Sequence, residues 1–255
     1  MAQDTLPHRS ARLGRPSGAA REVQAVALLL PEGEPVSVRR PSARAVMAAW
    51  PLSRRLARLG ERESLATHLV RYRFRGWNGA AAHPVADVEW AVEEVLRRYG
   101  DVAVSLVGTG MGARAALRAA GHPAVASVVA LSPWLPDTSG ETGEAGEPEP
   151  IRQLVDTQVL LAQGTDDRRT RPELTYRLAD RLKKVNPRVC RFEVHTDGHG
   201  LANHRAEVVA LAADFVLGTV CGRHFARPIA DALAAPPPLG LRMPLASGFG
   251  RGMDD

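Results

Sequence analysis

A chain of 255 residues with 45% hydrophobic content can bury one large core, and a single α/β domain of this size is ordinary. Its net charge of +5 is nearly all arginine, with Lys183 and Lys184 the only lysines and ten arginines between Arg39 and Arg75 against Glu61 and Glu63; aromatics at 5% and the lack of a reading helix argue against nucleic acid as the partner of that flank. Cys190 and Cys221 are too few for a disulfide framework, and with no run of 18 apolar residues and no apolar leader the expectation is a cytoplasmic protein without a membrane span.

Residues 1–21 are polar, carry Pro7, Gly14, Pro16 and Gly18, and read as a loose arm. Glu22 to Leu30 ends in an apolar run of strand length, stopped by Pro-Glu-Gly-Glu-Pro. A helix follows over 43–59 with Ser42 as its cap, and Pro51 is expected to break or kink it near Trp50. Leu65 to Phe74 predicts a second strand, and Asp87 to Tyr99 a helix with Val88, Ala91, Val92, Val95 and Leu96 on one face. Val102 to Val107 predicts a strand, Met111 to Ala120 a helix, and Val125 to Leu131 a strand buried on both faces. Strands over 157–162 and 188–194 alternate with helices over 172–185 and 202–217. Six strands separated by helices imply a mostly parallel sheet covered on both faces. The domain is placed at 22–220, with a Pro- and Gly-rich tail over 221–255 that wraps the surface or is disordered.

The most informative stretch is Leu106-Val107-Gly108-Thr109-Gly110-Met111-Gly112-Ala113-Arg114, between a predicted strand and a predicted helix. It resembles the nucleophile elbow of α/β hydrolases, Gly-x-Ser-x-Gly, with Gly108 and Gly112 as the outer glycines and Gly110 in the nucleophile's place. Gly164-Thr165-Asp166-Asp167 is similar to the turn that delivers the acid in that family, in a register pointing to Asp167 with Asp166 as runner-up. Gly198-His199 looks like its histidine and is preferred over His195. The resemblance covers about residues 22–217 and implies an α/β-hydrolase fold with a minimal cap at 133–150, a short acidic insertion that leaves the crevice open or loosely covered.

The resemblance also implies a hydrolase of an ester or similar acyl compound, yet a glycine has no nucleophilic atom. Thr109 points elsewhere on a sharp turn, Ser105 lies within a strand, and Ser132, at the same carboxyl edge, is the better substitute. Oxyanion donors would come from the N–H of Met111 and from the loop Pro31-Glu32-Gly33-Glu34, where a proline and two carboxylates oppose that role. Trp77 and Trp90 read as core or crevice wall, and Trp134, after Ser132-Pro133, is placed in the site. His195, His199 and His204 straddle a strand end, a turn and a helix start, so neither metal nor cofactor is expected. The expected partner is a small-molecule substrate or ligand, with neither a membrane nor nucleic acid expected. His199 and Asp167 then serve as a structural pair or as a general base acting alone. The alternatives to a hydrolase are a silent ligand-binding member of the fold, or a scaffold acting through the arginine flank or the tail.

Overall fold

The computed structural model describes residues 8–137 and 146–251. Two short strands, β1 (Arg12–Leu13) and β2 (Ser17–Gly18), pair antiparallel with β4 (Leu65–Arg71), so the described part of the N-terminal segment is not a loose arm. The polar sequence concealed this because the attachment is through the main chain: Gly14 N–H donates to Leu69 O at 2.8 Å and Ala19 N–H to Leu65 O at 3.0 Å. An unpaired edge of β4 is thereby covered.

Among the described residues, the six strands read from the sequence form the body of a nine-stranded sheet. β3 (Ala25–Leu30), β4, β5 (Ala103–Thr109), β6 (Val125–Leu131), β7 (Gln158–Gly164) and β8 (Val189–Val194) run parallel, in the order β1-β4-β3-β5-β6-β7-β8-β9. The last strand, β9 (Met243–Pro244), belongs to the predicted tail and extends the sheet beside β8. The tail also supplies a helix over Arg227–Ala234, and Ile229, Ala232, Leu241 and Leu245 are buried. The proline- and glycine-rich stretch was read as wrapping the surface or disordered; its described part lies against the domain and is seated by these four apolar side chains.

Both faces of the sheet are covered, as period-two alternation within wholly buried strands requires. Val26, Leu28 and Leu30 of β3 join the core under α2 (His83–Tyr99), α3 (Met111–Ala119) and α4 (Pro172–Lys183). Ala25, Ala27 and Leu29 face the opposite core, shared with α1 (Ala43–Leu59), α5 (Arg205–Val220) and α6 (Arg227–Ala234). Helix α1 runs unbroken through Pro51, because Leu52, Ser53 and Leu56 are buried and hold the turns beyond it. This packing overrides a local break signal. The parallel strands bring the loops after β3, β5, β6, β7 and β8 to one carboxyl edge, the usual place for a ligand site in such sheets.

Candidate active site

The turn from β5 into α3 explains its glycines sterically. Gly110 lies at φ +52° and ψ −114°, a conformation that side chains with a Cβ adopt only under strain. A Cβ on Gly112 would stand 2.2 Å from Leu30 O, so this glycine lets α3 approach the end of β3. Gly108 is similarly crowded by the backbone of Gly112 and Ala113. A sharp strand–turn–helix results, with the Met111 N–H as the first donor of α3.

Space above Gly110 is filled by the chain itself. A Cβ built on Gly110 would meet Glu32 Oε2 at 1.8 Å, so the Glu32 carboxylate stands where a side chain at 110 would project. Its Oε1 accepts the Met111 N–H at 3.2 Å and the Gly33 N–H at 3.3 Å. Both N–H groups of this turn are thus taken up by the Glu32 carboxylate. A carboxylate at a helix N-terminus is favoured by the unsatisfied N–H groups and the helix dipole. Sequence reasoning expected Glu32 to oppose charge at the Met111 N–H; in the structure its carboxylate accepts from that N–H and from its neighbour Gly33. The loop that carries Glu32 is fixed by Glu34, whose N–H donates to Arg75 O at 2.8 Å and whose carboxylate pairs with Arg75 at 3.0 Å. Gly33 is tightly held, since a Cβ there would lie 2.5 Å from Arg75 O.

From the other side comes His199. Its Nδ1–H donates to Asp167 Oδ2 at 2.8 Å, and its Nε2–H reaches Glu32 Oε2 at 3.3 Å. A carboxylate faces each ring nitrogen, an arrangement that favours the doubly protonated imidazolium. Burial pulls the His199 pKa down, but hydrogen bonds and attraction from Asp167 and Glu32 outweigh it and raise the value to about 9. For Asp167, burial pushes the pKa up, while the His199 and Thr170 hydrogen bonds lead a set of contacts that leave it below the ordinary value. Its Oδ1 accepts the N–H groups of Arg169 and Thr170 at 2.8 and 3.0 Å. Gln163 Nε2 donates to its Oδ2 at 2.6 Å. Sequence reasoning missed Gln163, although a buried amide in the apolar run of β7 was a visible signal.

The other candidates fall outside this cluster. Asp166 is exposed, its side chain reaching Thr165 Oγ1 at 3.5 Å and no other side chain among the described residues, and His195 is exposed as well. His204 donates to Asp197, which also accepts the N–H groups of Asn203 and His204 and so ties the loop after β8 to the start of α5. Ser105 Oγ bonds Ser127 Oγ at 2.8 Å inside the sheet. Ser132 is buried, its Oγ without a partner among the described residues, and neither it nor Thr109 bonds His199, whose described partners are Asp167 and Glu32. Trp134 contributes through its backbone, its N–H donating to Gly110 O at 2.9 Å. Its ring packs against Trp77 at 6.0 Å and over Arg114 at 5.1 Å, whereas Trp90 lies at the surface. Arg114 and Arg118 of α3 converge on buried Glu149, which anchors the described end of the acidic insertion to that helix. Glu141 and Glu144 of the insertion lie outside the described residues.

No family model matches the chain, and no curated protein is detectably similar to it in sequence. Solved structures are similar in fold. A Pyrococcus furiosus esterase superposes with a TM-score of 0.58 at 15% identity, over 78% of this chain and 83% of its own. A Xanthomonas campestris α/β serine hydrolase described as lacking a lid gives 0.55 at 16% identity, over 81% and 88%. A Butyrivibrio proteoclasticus protein bound to ferulic acid gives 0.60 at 13% identity, over 85% and 98%. This is the α/β-hydrolase fold. Among the described residues no helix is long and apolar enough to cross a membrane, and no group of His, Cys, Asp and Glu is arranged to hold a metal.

Proposed function

We propose that this chain is a hydrolase-fold protein without serine nucleophilic catalysis, binding a small acyl or carboxylate compound in the crevice above Gly110. The observation that carries this reading is the Glu32 carboxylate, held by Met111 N–H, Gly33 N–H and His199 in the space a nucleophile and oxyanion would share. A site that accepts its own carboxylate has the donors to accept another. An incoming ligand competes with Glu32, so its affinity is reduced by the fraction of time that Glu32 occupies the hole.

The pairing also bears on unaided general-base chemistry. With its pKa near 9, His199 is protonated at neutral pH and has no lone pair with which to take a proton from water. In this reading Asp167, Gln163 and the Thr170 N–H hold the imidazolium in place as a donor to bound carboxylate.

The test compares wild type with Glu32→Ala, measuring hydrolysis of short activated esters and the melting temperature in rising acetate and butyrate. The expected result is no turnover by wild type and a concentration-dependent rise in melting temperature that is larger for Glu32→Ala. Ester turnover by wild type that disappears in His199→Ala would overturn the proposal.

A further inference from the structure

Residues 35–60 contain no aspartate or glutamate and carry Arg39, Arg40, Arg44, Arg54, Arg55 and Arg58. Four of the molecule's exposed large apolar side chains lie in the same stretch: Val36 at 79% exposure, Val38 at 42%, Met47 at 68% and Trp50 at 60%. At about 100° per residue, Arg44, Met47, Trp50, Pro51 and Arg54 share one side of α1, opposite buried Leu52, Ser53 and Leu56. Among the described residues no carboxylate pairs with Arg39, Arg40 or Arg44, and the Arg54 guanidinium lies 5.6 Å from the Trp50 ring centre. The helix thus has two amphipathic halves, one seated on the sheet and one turned outward.

We propose that this outward face of α1, with the loop 35–42 before it, is a peripheral docking surface for an anionic lipid bilayer. The composition selects that partner. Exposed valine, methionine and tryptophan gain by entering the acyl boundary, where tryptophan is favoured at headgroup depth, and arginine stems can cover apolar surface while their guanidinium groups reach phosphate. Free phosphate would leave the apolar residues without a partner. A nucleic acid would use stacking aromatics, and this face has a single one. The surface lies on the same β3–α1 connection that carries Glu32, so docking would set the crevice loop near the lipid.

The test is co-sedimentation of the full chain with phosphatidylcholine vesicles, with and without phosphatidylserine, and with single-stranded DNA as a second polyanion. The expected result is binding only to phosphatidylserine vesicles, weakened by salt. Partitioning should fall on the order of tenfold or more in Arg39→Glu/Arg40→Glu/Arg44→Glu and also in Met47→Ser/Trp50→Ser, with circular dichroism unchanged. Both sets of substituted side chains are exposed, so the fold should survive them. No sedimentation with phosphatidylserine at low salt would overturn the proposal. So would binding that survives Met47→Ser/Trp50→Ser, or DNA binding of equal strength, since either reduces the surface to a general attraction for polyanions.

Discussion

Replacing Glu32 by glutamine keeps the shape of the side chain and removes the charge that faces His199 Nε2 at 3.3 Å. In wild type the two carboxylates raise the His199 pKa from the ordinary 6.5 to about 9. At about 1.4 kcal/mol per unit, that difference corresponds to about 3 kcal/mol of stability linked to the proton. His199 is only 10% exposed, so solvent screening removes little of it. Because the folded pKa is the higher one, the stabilisation is complete below about pH 6.5 and is lost as the pH rises through 9. Wild type should therefore lose on the order of 3 kcal/mol between pH 6 and pH 10 from this group. In Glu32→Gln the midpoint should fall by about one unit or more, because one of the two carboxylates that raise it is gone. Proton NMR of the imidazole, assigned with His199→Gln, gives the midpoint, and urea unfolding across the same pH range gives the linked free energy. A wild-type midpoint near 6.5, or one unmoved by Glu32→Gln, would refute the contact between Glu32 and His199.

Other expectations concern the frame around the site. Glu149→Ala leaves Arg114 buried against Trp77 without its carboxylate and should cost about 3 kcal/mol in urea unfolding. Gly112→Ala drives a Cβ to 2.2 Å from Leu30 O, where only backbone movement gives relief, and should cost about 3 kcal/mol or more by the same measure. Deleting the chain after Cys221 removes Ile229, Ala232, Leu241 and Leu245 from the core and takes from buried Arg191 the Leu241 carbonyl it donates to. A loss of roughly 5 kcal/mol or more is expected, and an unchanged melting temperature would show that the tail is not part of the folded unit.

The central strands were legible because a strand buried on both faces leaves a continuous apolar run, as in Val125 to Leu131. The edges were not. Ser17-Gly18 and Arg12-Leu13 join β4 through main-chain hydrogen bonds, which composition does not encode, and Met243-Pro244 is too short to show a period. Pro51 misled for a related reason: its local cost is visible in sequence, while the burial of Leu56 that offsets it is a tertiary fact. At the site, Asp167 and His199 could be selected from the turns that carry them, and the structure brings these two side chains together. Glu32 was singled out too, but its position was beyond reach. Its carboxylate meets the N–H of Met111, 79 residues away, and the absence of a side chain at 110 makes room for it. Only the folded chain shows that Gly110 and Glu32 are complementary in shape.

That complementarity is tested most directly by fluorophosphonate labelling of wild type, Gly110→Ser and Glu32→Ala/Gly110→Ser. A serine at 110 alone meets the Glu32 carboxylate and finds both backbone donors taken, whereas in the double variant the space and the donors are free for a serine oxygen and an oxyanion. Wild type and Gly110→Ser should remain unlabelled, and the double variant should label. Labelling of Gly110→Ser as fast as the double variant would show that Glu32 does not hold the hole, and labelling of wild type would show that a nucleophile is already present.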